Sequence, residues 1–198
     1  MNIARASALL RRRALLACWA GTALPQARAA APWNARWPRI PDVSLLNHRG
    51  QSVALRPLLA AGPVVVNFIY TGCSSFCPPQ TAIFKQLQTL LADEPALRAT
   101  LVSLSIDPLG DGPIELTRYA RRFDARLGAQ ERWHMLTGGP AGVQAVAEVQ
   151  RAFGAHAASL EQHPAQLWLG DAAKARALRS LGVARASDLL AWLREAAA

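Results

Sequence analysis

Apolar and polar side chains alternate along this chain with two periods, one typical of strands and the other of helices. The β-favouring residues 64–70 are almost all apolar, which predicts a central strand covered on both faces. After residue 78, apolar side chains follow the spacing of one helix face, at positions 83, 84, 87, 90 and 91. Further strands are predicted at 101–106, 133–136 and 166–169, and further helices begin near residues 113 and 140.

Two hairpins are predicted on either side of this alternation. The stretch 43–55 has turn residues at 47–50, and 166–178 forms a second hairpin before a closing helix capped by Ser187. Residues 30–41 contain three prolines and are expected to form an irregular arm. Strands that alternate with helices predict an α/β fold with a mostly parallel central sheet flanked by helices and an N-terminal β-hairpin. The closing hairpin and helix are typical of a thioredoxin-like fold.

The first 29 residues have the composition of an export signal. Four arginines precede a short apolar stretch at 14–24, and Ala27-Arg28-Ala29 has the small-x-small pattern of a cleavage site. We therefore predict a signal peptide over 1–29, one domain over 30–198 and a periplasmic location. Membrane association is expected only if the N-terminal segment is retained. A lipid-attachment box ending at Cys18 is a weaker alternative, because only a short apolar stretch precedes that cysteine.

Removing the predicted signal changes both the charge and the cysteine content. The signal carries five arginines and no acids, so its loss lowers the net charge from +9 to +4. The remaining basic residues are dispersed, which argues against nucleic acid as a partner. Cys18 is lost too, which leaves Cys73 and Cys77. A disulfide across three residues would close a very small loop and add little stability, so this pair indicates chemistry rather than a structural staple.

Cys73 and Cys77 lie where the predicted central strand passes into a helix. Backbone N–H groups at a helix N-terminus favour anions and lower the pKa of a thiol placed there. A thiolate is both the nucleophile of disulfide exchange and the soft ligand that Cu(I) prefers. The pair alone therefore leaves redox chemistry and metal binding open.

The segment Asn67–Pro78, with the sequence NFIYTGCSSFCP, resembles the signature of the Sco/SenC family of copper chaperones, which have a thioredoxin fold. Three further matches follow in order: Ser105–Pro108 with Asp111–Pro113, then Trp133–Gly138, then His163 ahead of Leu167–Asp171. The resemblance covers residues 41–195. It implies that Cys73, Cys77 and His163 bind copper, with His163 as the third ligand for Cu(II). It also implies a copper-accepting cytochrome c oxidase subunit and a disulfide reductant as partners.

A thiol–disulfide oxidoreductase is the alternative function, and it would keep the recipient's cysteines reduced. Cys73 would then be the attacking thiol and Cys77 the resolving thiol. His163 distinguishes the two hypotheses, because disulfide exchange does not need it. The other histidines that follow the signal, at positions 48, 134 and 156, are expected to be structural or solvated. Asp107 is expected to form a turn, with orientation of His163 as its alternative role.

Pro164 directly follows the candidate histidine. Thioredoxin-like folds commonly place a cis-proline opposite the cysteine loop, so a cis His163–Pro164 bond is one hypothesis. The alternative is an ordinary trans bond at the entrance of the next strand.

Overall fold

The computed structural model describes residues 33–198, which form one eight-stranded sheet with helices on both faces. The strands are β1 Ala35–Arg36, β2 Ser44–Asn47, β3 Ser52–Ala54, β4 Val64–Ile69, β5 Thr100–Ser105, β6 Trp133–Thr137, β7 Gln166–Asp171 and β8 Arg176–Leu181. The α-helices are α1 Leu55–Leu59, α2 Cys77–Ala92, α3 Pro113–Arg121, α4 Val143–Phe153 and α5 Ala186–Ala197. None of the described helices is long and apolar enough to cross a membrane. The predicted signal peptide lies outside the described residues.

The sheet has the strand order β1-β8-β7-β4-β5-β6-β2-β3. The α/β class, the flanking helices and the N-terminal hairpin β2–β3 are confirmed. The expectation of a mostly parallel sheet is wrong, because β4–β5 and β5–β6 are the only parallel pairs among the seven neighbouring pairs of the described strands. Only these pairs are joined through helices α2 and α3, whereas the short connections within β2–β3 and β7–β8 impose antiparallel pairing.

Strand β4 is buried along its whole length and separates two apolar cores. Val65 and Ile69 face the core formed with α2 and α5, whereas Val66 and Phe68 face the core formed with α4. Successive side chains of a strand point to opposite faces, so a run of apolar residues can fill both cores at once. The sequence-based prediction of a central, doubly covered strand is confirmed.

The structure differs in three places from what the sequence pattern indicates. The expected irregular arm contains β1, which pairs with β8 and is too short to show an alternating pattern. Helix α1 was not expected, although Leu55 and Leu59 are fully buried at helical spacing. The closing helix begins at Ala186, and Arg185 rather than Ser187 occupies its N-cap position without a side-chain cap. The burial of Ala186 favours the earlier start.

The order of the strands brings several loops to one edge of the sheet. The carboxyl ends of β4, β5 and β6 lie at the same edge because these strands are parallel. Strand β7 runs antiparallel to β4, with Asn67 opposite Leu167, so the start of β7 also lies there. The segments that carry the candidate cysteines and His163 therefore meet at this edge.

Candidate metal centre

The cysteine loop connects β4 to α2 at the carboxyl edge of the sheet. Its first turn closes where the Cys73 N–H donates to the Tyr70 carbonyl oxygen at 3.1 Å, and α2 begins at Cys77 with Pro78 in its first turn. Both thiols are free and buried, with exposed fractions of 6% for Cys73 and 3% for Cys77. The prediction that a strand-to-helix junction carries the pair is confirmed.

The two thiols have opposite pKa shifts although they are neighbours. Burial alone would raise the pKa of Cys73, but hydrogen bonds from the Cys77 thiol, the Cys77 and Ser75 backbone N–H groups and the Ser75 hydroxyl lower it to about 7. Burial and donation to Cys73 raise the pKa of Cys77 to about 12. Cys73 is therefore the sulfur that carries negative charge near neutral pH, and Cys77 stabilises that charge as a donor.

His163 lies on the other side of the same small cavity as the two thiols. The cavity measures about 10 Å³, close to the space that one water molecule occupies, and Tyr70 and Phe68 also line it. The imidazole packs against the Phe68 ring with a centroid separation of 6.0 Å. Its Nε2 atom is buried and has no hydrogen-bond partner among the described residues.

The burial of His163 also determines its protonation. Desolvation lowers its pKa to about 4, so the imidazole is neutral at physiological pH and keeps a lone pair available for a ligand. Within residues 33–198, however, no three His, Cys, Asp or Glu side chains are close enough together to hold a metal ion. The structure thus brings Cys73, Cys77 and His163 to one cavity without bringing all three to coordination distance.

The His163–Pro164 bond is trans, because the described residues contain no cis peptide bond. The cis hypothesis is therefore wrong. Pro164 directly precedes the loop residue Ala165, and β7 begins one residue later at Gln166. A proline that precedes a strand needs no unusual bond geometry, since its missing N–H lies outside the ladder.

Asp111 has a structural role at this edge that its sequence motif did not reveal. Its carboxylate is 1% exposed and accepts hydrogen bonds from the Thr71 N–H, the Thr71 hydroxyl at 2.6 Å and the Ser105 hydroxyl at 2.6 Å. Its carbonyl oxygen accepts a further bond from the Thr137 hydroxyl at 2.6 Å. Asp111 thereby ties the ends of β4, β5 and β6 together directly below the cysteine loop. The sequence feature that could have indicated this role is the pair of hydroxyl residues Ser105 and Thr137 at strand ends, together with a nearby acidic residue.

The remaining sequence-based candidates have local roles or lie elsewhere. Asp107 accepts the Gly110 N–H at 2.9 Å, which confirms its role in a turn. The side chains of His48 and His134 line a different cavity, and His156 is exposed in a loop. Tyr70 interacts with the candidate site in a way that the sequence analysis did not anticipate. Burial and a hydrogen bond to Cys73 raise the pKa of its phenol.

Comparison with known proteins places this arrangement in a family. The SCO1/SenC family model matches residues 38–175. The chain belongs to the SCO1/SenC family. The SCO1 protein homolog of Bacillus subtilis (strain 168) is 34% identical over 93 residues, which are 46% of this chain and 45% of that relative. The match therefore spans less than half the length of that relative.

Solved Sco structures have the same fold. BsSco, a member of the Sco family of cytochrome c oxidase assembly proteins in which a disulfide switch was identified, has a TM-score of 0.67 at 23% identity over 83% of this chain and 96% of its own. A SCO1/SenC family lipoprotein from Bacillus anthracis reaches 0.64 at 23% identity over 83% and 100%. Copper-bound ScoI from Bradyrhizobium japonicum reaches 0.57 at 22% identity over 82% and 99%. At this level of identity the structures confirm the thioredoxin-like fold of this SCO1/SenC protein.

Replacing Asp111 by alanine should destabilise the fold strongly. The change leaves the partly buried Thr71 N–H and the buried Ser105 hydroxyl without their acceptor, so we expect the free energy of unfolding to fall by about 3 kcal/mol. Urea unfolding followed by circular dichroism measures the loss. The matched control is Asp107→Ala, which removes a single turn hydrogen bond and should cost about 1 kcal/mol. Equal losses in the two variants would contradict this role of Asp111.

Cys73 should react with iodoacetamide well before Cys77 as the pH is raised. Only the thiolate is alkylated, so the reaction of Cys73 should have its midpoint near pH 7, whereas Cys77 should stay unmodified at pH 8. Mass spectrometry of peptides from the briefly treated, reduced protein measures both rates. Ser75→Ala removes one donor to Cys73 and should shift its midpoint upward. Faster modification of Cys77 than of Cys73 would refute the assignment.

Proposed function

We propose that this SCO1/SenC protein is an exported copper-binding metallochaperone of the Sco type. The observation that carries the proposal is the buried Nε2 of His163. This atom has no hydrogen-bond partner within residues 33–198, and His163 shares a small cavity with both thiols. A polar atom that is buried without a partner costs free energy unless something binds it. An imidazole nitrogen and two sulfurs form a ligand set that suits copper.

The two oxidation states of copper would use these ligands differently. Cu(I) is soft and is satisfied by the Cys73 and Cys77 sulfurs alone, whereas Cu(II) prefers additional nitrogen ligands and would require His163. The shift of the Cys73 pKa to about 7 makes this sulfur available without strong alkali. The burial of both thiols would protect bound Cu(I) from solvent.

The cellular setting of the proposal follows from the sequence and from the family. The predicted signal peptide over 1–29 and the predicted domain over 30–198 favour a periplasmic location. BsSco is described as belonging to a family of cytochrome c oxidase assembly proteins. On this basis the copper recipient would be a cytochrome c oxidase subunit. A disulfide reductant is needed as well, because only the reduced pair binds copper.

A thiol–disulfide oxidoreductase is the second candidate function, and one observation favours it. The Cys73 pKa lies near 7 and the Cys77 pKa near 12, which is the asymmetry expected of an attacking and a resolving thiol. The Nε2 of His163, which lacks a hydrogen-bond partner in the described part of the chain, favours copper binding instead, because disulfide exchange does not need that nitrogen. Copper binding and disulfide exchange share Cys73 and Cys77, but they can be separated by experiment at His163, which only Cu(II) binding would need.

The tight copper site should require both cysteines. We expect the reduced protein to bind Cu(I), and either Cys73→Ser or Cys77→Ser to weaken that binding by at least about a hundredfold, because each removes one of the soft ligands of the cavity. Competition with a chromophoric Cu(I) chelator measures the affinity. Ser75→Ala keeps both sulfurs and should remain within about tenfold of the parent. Unchanged affinity in both serine variants would refute the proposed site.

His163→Ala should chiefly harm Cu(II) binding. The substitution removes the nitrogen ligand, so the thiolate-to-Cu(II) absorption band should disappear or shift, while Cu(I) affinity should change by less than about tenfold. Titration followed by visible absorption and electron paramagnetic resonance measures the effect. His156→Ala removes an exposed histidine and is the matched control. An unchanged Cu(II) spectrum in His163→Ala would mean that another group is the third ligand.

A further inference from the structure

Two hydrogen bonds in series link the cysteine helix to the segment that carries His163. The side-chain amide of Gln80, in the first turn of α2, donates to the Gly182 carbonyl oxygen at 2.9 Å. The Gly182 N–H in turn donates to the Ala165 carbonyl oxygen at 2.6 Å. Gln80 and Ala165 both line the small cavity that His163 shares with the two thiols. One residue between β8 and α5 is therefore bonded to two walls of that cavity.

Gln80 is fixed relative to the cysteines. It is 3% exposed, and its N–H donates to the Phe76 carbonyl oxygen at 3.2 Å, which closes the first helical turn around Cys77. Breaking its bond to Gly182 would leave a buried amide without that acceptor, which costs free energy. The Gly182 carbonyl is thus held in a defined position relative to Cys77.

The segment that carries His163 has little regular structure of its own. Residues 154–165 contain no helix or strand, and the His163 N–H donates to the Leu160 carbonyl oxygen at 3.3 Å. The bond from Gly182 to Ala165 continues the β7–β8 ladder one pair beyond Gln166 and Leu181. This bond fixes the backbone two residues after the histidine, and so it limits where the imidazole can lie.

Gly182 can bond to both walls because it is a glycine. Its φ of +87° lies in the left-handed region that favours glycine, and a Cβ at this position would have no atom of the described residues within 4 Å. The side chains on either side contribute little packing, since Leu181 is 70% exposed and Val183 is 48% exposed. The Gly182 backbone is attached to the two walls by hydrogen bonds rather than by apolar contacts.

We propose that Gln80 is a positioning residue for His163, acting through Gly182 and Ala165. The link holds His163 at the cavity of the two thiols, so that the nitrogen that Cu(II) requires is close by before the ion arrives. Such preorganisation lowers the free energy cost of binding. The benefit for Cu(II) rests on the proposed function, whereas the two hydrogen bonds themselves involve no metal.

A matched control lies further along the same helix. Gln88 is 4% exposed, and its side-chain amide also donates to backbone carbonyl oxygens of another segment, those of Arg126 and Glu131. Unlike Gln80, it does not line the cavity of the two thiols. Gln80→Leu and Gln88→Leu therefore remove the same buried amide, but only the first breaks the link to His163.

The first test uses the full chain without copper. In Gln80→Leu, the Gly182 amide should exchange with deuterium at least about tenfold faster than in the parent, because the loss of one buried hydrogen bond loosens its backbone. The His163 imidazole should react at least about threefold faster with diethylpyrocarbonate. Gln88→Leu should keep both rates within about twofold of the parent, since distant sites act independently. Mass spectrometry measures both rates, and circular dichroism checks that each variant is folded.

The second test adds copper to the same proteins. Gln80→Leu should weaken Cu(II) binding by about tenfold and change the Cu(II) electron paramagnetic resonance spectrum, whereas Cu(I) affinity should stay within about threefold because both sulfurs remain. Gln88→Leu should unfold at a lower urea concentration than the parent and keep the parent's Cu(II) spectrum. Gly182→Ala should reproduce the effects of Gln80→Leu, because it disfavours the backbone conformation on which the link depends.

The outcomes distinguish the link from the copper chemistry. Equal exchange and modification rates in Gln80→Leu and Gln88→Leu would overturn the positioning role. Faster rates in Gln80→Leu with unchanged Cu(II) affinity and spectrum would overturn its importance for Cu(II). A parent that binds no copper would contradict the proposed function, and the copper-free rates would still decide whether Gln80 positions His163.

Discussion

The geometry of the candidate metal centre depends on the buried carboxylate of Asp111. This side chain binds Thr71 at the start of the cysteine loop and Ser105 at the end of the neighbouring strand, and its backbone binds Thr137 at the end of the next one. Three parallel strands end at this edge with unpaired backbone and hydroxyl groups, and a single acceptor satisfies several of them. Burial raises the pKa of Asp111, while the hydrogen bonds from Ser105 and Thr71 counteract that rise. The carboxylate is stable only with these donors, so the loop and its anchor depend on each other.

Sequence patterns were sufficient for the parts of the fold that have a strong period. Strand β4 and helix α2 are long and nearly regular. Strand β4 was predicted within a residue of both observed limits, and α2 within a residue of its observed start. The direction of β7 could not be predicted, because a strand that follows a helix by a long loop can enter the sheet either way. The two-residue β1 and the five-residue α1 are too short to show a period, and only burial in the folded state identifies them.

Part of the candidate site could likewise be predicted from local sequence, whereas the rest depends on contacts between residues far apart in the chain. The spacing of Cys73 and Cys77 indicated a site by itself, since both lie in one loop. His163 was selected through the family resemblance. Its loop lies ninety residues after the cysteines, and only the strand order decides whether that loop reaches them. Local sequence patterns do not predict the strand order. Asp111 belonged to a recognised motif, but its role depends on donors 40 residues before it and 26 residues after it. Contacts of that range are a property of topology.

The same edge of the sheet also collects the exposed apolar surface of the described residues. All six large apolar side chains that are exposed lie in loops or element ends at this edge, and they are Phe76, Leu109, Ile114, Val143, Leu181 and Val183. Burying such side chains against another molecule would remove apolar area from water, which is favourable. Cys73 and Cys77 are nearly inaccessible beneath it, whereas Phe76, directly before Cys77, is 55% exposed. Ligand exchange at these sulfurs would therefore require the cysteine loop to move, and a partner that packs on Phe76 would contact the one residue that joins the loop to its helix.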